Sequence, residues 1–115
     1  MRPSDLAKIT GVSTRVLRHY ELKGLIVSRR LDNGYRDFDA KEVEKVRWIT
    51  SLIKCGFSTR QIAELEKFSQ VSDMDDERFI MCLAQHRDKL HALNVLIDLL
   101  NERRNALAAR ILSWE

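Results

Sequence analysis

The sequence predicts a mainly α fold. A winged helix-turn-helix occupies residues 1–70, and a long helix over residues 76–112 pairs antiparallel with a second copy as a coiled coil. Three observations predict this. Two short helical segments meet at a turn of about three residues that contains Gly11. A basic, β-prone hairpin follows around Asn33-Gly34. An apolar heptad then runs for about four repeats.

Taken in order, Ser4-Asp5-Leu6-Ala7-Lys8-Ile9 opens the first helix, with the Ser4 hydroxyl as its N-cap. Thr10-Gly11 ends it, and Ser13 caps a second helix from Thr14 to Lys23. Gly24 closes that helix by tolerating a left-handed backbone. Leu25-Ile26-Val27 and Tyr35-Arg36-Asp37-Phe38 are β-prone and flank Asp32-Asn33-Gly34, a pair of strands joined by a tight turn. Arg29 and Arg30 lie on this hairpin, which makes it a basic wing. Asp39 is the expected cap of a third helix, Ala40 to Lys54, whose core face is Val43, Val46, Ile49 and Ile53. Gly56 stops it. Ser58 caps a fourth, Thr59 to Lys67, with Ile62 and Leu65 inward. Ser69 to Asp75 reads as a polar connector.

From Asp76 to Leu112 no helix breaker occurs. Leu83, Leu90, Ile97, Arg104 and Ile111 recur every seven residues, and His86, Leu93, Leu100, Leu107 and Trp114 form the companion row. An isolated helix cannot hide such a stripe, so a partner helix is expected. Packing of the stripe against residues 1–70 is the competing account, but a second row, Val95, Leu96 and Leu99, is available for that packing and leaves the heptad stripe to a partner. Antiparallel pairing centred on Val95 sets Leu83 against the partner's Leu107, Leu90 against the partner's Leu100, and Ile97 against the partner's Leu93. His86 then faces the partner's Arg104, and these polar seam residues penalise a slipped register.

Composition narrows the function classes. The 115 residues hold four Gly and one Pro, which argues against a disordered or fibrous chain. No apolar run reaches the length of a membrane span, and residues 1–20 lack the apolar stretch of a secretion signal. A cytoplasmic protein without membrane contact is therefore expected. Charge is distributed unevenly. Residues 1–60 carry 13 Lys and Arg against 7 Asp and Glu, whereas residues 61–115 carry 7 against 10. A basic half suits a polyanion, although an ordinary solvated surface has the same signature.

The second helix is expected to enter a major groove. Arg15 and Arg18 share one face near its start, where guanidinium groups read guanine or bind phosphate. Ser13 and Thr14 are placed to donate to a phosphate at the helix N-terminus. Arg18 has a rival use as an i,i+3 partner of Glu21. Arg29, Arg30, Tyr35 and Arg36 of the wing are candidates for backbone or minor-groove contacts, with cross-strand packing the rival use of Tyr35. Lys41, Lys45 and Arg47 fit a charged helix face.

Five blocks in register, Leu6-Ala7-Lys8-Ile9-Thr10-Gly11-Val12-Ser13, Leu17-Arg18-His19-Tyr20-Glu21, Gly24-Leu25, Asn33-Gly34-Tyr35-Arg36 and Cys55-Gly56-Phe57-Ser58 with Ile62, resemble the MerR transcription regulators. The resemblance covers residues 4–68 and the helix that follows. It implies a homodimer bound to a pseudo-palindromic operator in double-stranded promoter DNA, with RNA polymerase as a further partner. It also adds Tyr20 as a DNA contact through its hydroxyl, with the ring filling the core as the rival use, while His19 either bonds a phosphate or simply lies exposed; the nucleoid is then the expected location in the cytoplasm. Three departures stand out. His19 replaces a usual aromatic, and Pro3 replaces a usual apolar residue. After the long helix, neither a cysteine-bearing metal loop nor a large ligand domain follows in these residues. That keeps open an effector-independent architectural or partner-dependent DNA-binding role. A coiled-coil interaction module with an incidental basic surface is the third alternative.

Cys55 and Cys82 match no paired-cysteine motif and are expected as free thiols. Cys55 is a candidate thiol sensor, because small members resembling this chain carry a cysteine near that place and respond to electrophiles. Its bland alternative is a small apolar filler. Cys82 and His86 are four apart on one helix face, only half of a metal site, so no metal is expected. No catalytic motif or cofactor fingerprint appears, and an enzyme is not expected.

Overall fold

The computed structural model describes residues 1–67 and 77–115. The element order is α1 (Pro3–Thr10), α2 (Thr14–Leu22), β1 (Ser28–Arg30), β2 (Arg36–Phe38), α3 (Glu42–Lys54), α4 (Thr59–Glu66) and α5 (Glu77–Leu112). The chain forms two compact units, Met1–Gln70 and Val71–Glu115. The expected connector Ser69 to Asp75, and Asp76 as the start of the long helix, lie outside the described residues.

The first unit is built around Leu6, Leu17, Tyr20, Leu25, Ile26, Phe38, Val46, Ile49, Leu52, Phe57, Ile62 and Leu65, all buried. α1 contributes Leu6 alone, whereas the buried residues of the next three helices recur three or four apart, as a 3.6-residue repeat requires. α1 packs on α2, α3 and β2, and α3 packs on α4. Gly11 makes the first corner possible. Its φ of 74° is left-handed, and its amide closes α1 by donating to the Ala7 carbonyl at 2.8 Å. Ser13 then starts α2 as expected, its Oγ accepting from the Val16 amide at 3.2 Å. Ser58 and Gln61 form a reciprocal capping box at α4, with bonds of 3.1 and 2.9 Å.

Four local expectations need correction. The N-cap of α1 is Arg2, not Ser4. Pro3 occupies the first helical position, where its missing amide costs nothing, and the Arg2 amide donates to Asp5 Oδ2 at 3.1 Å. The first strand is Ser28–Arg30, because Leu25 and Ile26 are drawn into the core instead. α3 begins at Glu42, two residues late. Asp39 Oδ1 accepts from the Lys41 amide at 3.0 Å, which builds a turn before the helix. The core face of α3 is Glu42, Val46, Ile49 and Leu52, while Ile53 is exposed.

The wing is an antiparallel pair with Ser28 opposite Phe38, Arg29 opposite Asp37 and Arg30 opposite Arg36. Its tip is the three-residue loop Asp32-Asn33-Gly34. Leu31 and Tyr35 bond across it at 2.9 Å, and the Gly34 amide donates to the Leu31 carbonyl at 2.9 Å. Gly34 alone in the loop takes a left-handed φ, 84°, the geometry of a turn ending in a bulge. At the base of the wing the Met1 ammonium donates to Asp37 Oδ1 at 2.8 Å and to the Phe38 carbonyl at 2.7 Å.

Among the described residues the second unit consists mainly of one helix, α5, whose 36 residues are none of them buried. Leu83, Leu90, Ile97, Leu100 and Leu107 are exposed along it, as are Val95, Leu96 and Leu99 of the second row. No helix among the described residues is long and apolar enough to cross a membrane.

Candidate nucleic-acid interface

The exposed face of α2 and the wing supply the candidate contacts. Ser13, Thr14, Arg15, Arg18 and His19 are all exposed. The α2 amides of the first turn face outward at its N-terminus, where Ser13 already satisfies one of them. Tyr20 differs from its neighbours: its ring is only 5% exposed and belongs to the core.

The tertiary structure gives Glu21 a different partner from the one its sequence neighbours suggest. It pairs with Arg36 Nε at 3.4 Å and accepts from the Ser28 hydroxyl. Both partners lie on the wing. Glu21 therefore ties α2 to the hairpin, and Arg18 makes no ion pair among the described residues. Arg29 reaches Asp37 Oδ2 at 3.4 Å with most of its side chain in solvent. Arg30 donates to the Gly34 carbonyl at 2.9 Å, which braces the loop.

Four arginines converge. Arg2, Arg18, Arg30 and Arg36 line one cleft of about 380 Å³ with Tyr35. The Arg2 guanidinium stacks over the exposed Tyr35 ring, 5.0 Å from its centroid. Arg30 and Arg36 sit directly opposite each other in the ladder. Like charges in that relation destabilise a sheet unless an anion sits between or beside them. The sequence analysis missed Arg2. Its position beside Pro3 carried no signal, since only the fold brings the start of α1 against the wing.

The remaining candidates lie apart from this cluster. Lys45 pairs with Glu66, and Arg47 with Glu44 at 2.8 Å, so the charged face of α3 is largely self-matched. Cys55 sits at the C-cap of α3 with its thiol exposed, which overturns its use as a buried filler. His86 Nδ1 lies 2.8 Å from the Cys82 carbonyl oxygen and 3.8 Å from its Sγ. Burial pushes the Cys82 thiol pKa up. Among the described residues no group of three or more metal-ligating side chains gathers.

Similar proteins are found both by sequence and by structure. A family model described as MerR HTH family regulatory protein matches residues 1–68. The chain is 44% identical over 62 residues to the nodulation protein NolA of Bradyrhizobium elkanii, covering 53% of this chain and 28% of that one. It is 38% identical over 66 residues to the HTH-type transcriptional regulator CueR of Yersinia pestis, covering 56% and 48%. To the transcriptional regulator BrlR of Pseudomonas aeruginosa it is 31% identical over 108 residues, 90% of this chain and 40% of that one. The chain thus spans less than half the length of these three relatives. A crystal structure of a MerR family transcriptional regulator from Listeria monocytogenes shares the fold, with a TM-score of 0.64 at 20% identity, over 89% of this chain and 79% of that one.

Proposed function

The chain belongs to the MerR family of helix-turn-helix regulatory proteins, and from that premise we propose that it binds a pseudo-palindromic promoter operator as a homodimer. The observation that carries this reading is the Arg2, Arg18, Arg30 and Arg36 cluster around Tyr35, beside the exposed start of α2. Four guanidinium groups with one matched carboxylate, Glu21, form a site for a polyanion.

In the proposed complex Arg15 and Arg18 read base edges, while Ser13, Thr14 and His19 hold phosphates beside the helix N-terminus. Arg29, Arg30, Tyr35 and Arg36 grip the backbone alongside, joined by Arg2. The Tyr20 hydroxyl reaches the phosphate while its ring stays in the core. The open seam of α5, from Leu83 and His86 through Leu90, Leu93, Ile97, Leu100 and Arg104 to Leu107, joins two copies antiparallel and so spaces two half-sites. RNA polymerase at the same promoter is the further partner, and the cytoplasm is the setting. Cys55, exposed at the end of α3, is retained as a candidate electrophile sensor.

The test is selection of binding sites from random duplex DNA, followed by affinity against salt. Enrichment of an inverted repeat, with a steep loss of affinity as salt rises, is the expected result. Arg18→Ala and Arg30→Ala are each expected to cost about 1–3 kcal/mol of operator affinity. Salt-sensitive binding without enrichment would replace the regulator reading with an architectural one.

A further inference from the structure

A second cleft, of about 790 Å³, lies between the wing and α3. It is separate from the arginine cluster, and its volume falls in the range of small-molecule sites. Its charged lining comprises Arg29, Lys41 and Lys45 against Asp37, Asp39, Glu42, Glu44 and Glu66, an excess of two acids.

Most of these charges are already matched inside the fold. Lys45 pairs with Glu66, Arg29 with Asp37, and Glu44 with Arg47. Glu42 is different. It is only 4% exposed, and its Oε2 has no hydrogen-bond partner among the described residues. Among backbone groups, Val27 acts to lower its carboxyl pKa. Burial raises the Glu42 carboxyl pKa above its ordinary value, with Lys45, the Val27 amide and Lys41 opposing that rise and Asp39 adding to it. A buried acceptor with no donor requires an explanation, and Glu42 is one of the residues lining the cleft. The half-buried Trp48 lines the same cleft and offers an aromatic face.

We propose that this cleft binds a small organic amine, whose ammonium donates to Glu42 Oε2 while its apolar body lies against Trp48. A primary ammonium supplies an N–H donor and adds positive charge to a lining with an excess of two acids. The ring adds cation–π and apolar attraction. A carboxylate or phosphate ligand meets an acidic lining instead. One wall of the cleft belongs to the wing and the other to α3, so an occupant fastens the wing to the helix. Under the DNA-binding reading above, occupancy therefore changes operator affinity. Amine binding itself is measured without DNA and stands or falls independently of that reading.

The test uses the full chain carrying Trp114→Phe, which leaves Trp48 as its one tryptophan. It is titrated with 2-phenylethylamine, 2-phenylethanol and 3-phenylpropionate, followed by Trp48 fluorescence and by calorimetry. The expected result is saturable binding of one amine per chain, with the alcohol and the carboxylate weaker by about tenfold or more. Glu42→Gln removes a buried charge at nearly constant shape. It is expected to fold with a cooperative melt and to weaken amine binding by about tenfold. Equal binding of amine and alcohol to the Glu42-containing protein overturns the proposal without reliance on any change at Glu42. So does a folded Glu42→Gln protein that binds amine undiminished, or the lack of a saturable signal at concentrations on the order of 10 mM.

Discussion

Single residues at the wing and at α3 carry opposite pH signatures. The Met1 ammonium and Arg29 hold the Asp37 carboxyl below its ordinary pKa through hydrogen bonds and charge. A depressed pKa stabilises the fold above the unfolded value, and the benefit disappears as pH falls through the folded value. The base of the wing is therefore expected to loosen on acidification below the usual carboxylate range. Amide exchange at Phe38 monitors it, and Asp37→Asn is expected to abolish the acid limb. Glu42 behaves in the reverse sense, since burial raises its pKa. The folded state then binds the extra proton, and stability falls as pH rises from the unfolded to the raised value. Glu42→Gln is expected to stabilise the first unit at pH 7 by about 1–3 kcal/mol, with the gain shrinking in acid. Thermal melts at pH 4 and pH 7 check both the sign and the pH dependence.

At the scale of elements, caps and turns decide where each helix begins and how the wing closes. Ser58 satisfies the Gln61 amide, and Gln61 returns the bond to Ser58. Ser58→Ala is expected to cost about 0.5–2 kcal/mol, read from urea denaturation, with α4 fraying first. The wing loop depends on Gly34 for backbone reasons alone. No atom lies within 4 Å of an added Cβ, yet its φ is +84°. Gly34→Ala is thus expected to cost about 1–2 kcal/mol through strain and not through a clash. Asn at this position, which tolerates the left-handed region better, is expected to recover part of the loss. A wing that opens under Gly34→Ala also spreads Arg30 and Arg36, and so lowers DNA affinity with α2 unchanged.

For the whole molecule, the long helix raises the question of assembly. It leaves Leu83, Leu90, Ile97, Leu100 and Leu107 open to solvent over 36 residues. An exposed stripe of that length is characteristic of an interface. The chain is expected to sediment as a dimer, and Leu90→Asp with Ile97→Asp to sediment as a folded monomer. Loss of the second half-site contact is then expected to weaken operator binding by about 100-fold or more. Antiparallel register is checked by mixing Leu93→Cys and Ile97→Cys chains in a background with Cys55 and Cys82 replaced by Ser. A disulfide that forms between the two variants, and not within either alone, identifies the pairing centred on Val95.

The helices and their order are determined by local chemistry, and local chemistry is written in the sequence. Ser13 and Ser58 cap, Gly11 and Gly24 stop, and Ile62 and Leu65 recur at helical spacing, each acting within a turn or two of chain. The heptad of α5 is equally local. What the sequence concealed depends on residues far apart. Arg2 joins the basic cluster because α1 and the wing meet, and Glu21 leaves Arg18 for Arg36 because α2 meets β2. Leu25 and Ile26 had strand propensity, but the core claimed them and displaced β1 to Ser28. Glu42 reads as an ordinary surface acid in a helix first turn, yet in the folded unit it is buried. Propensity and capping act over a few residues and survive as patterns. Burial and ion pairing are decided by which surfaces meet, and that is a property of the tertiary structure.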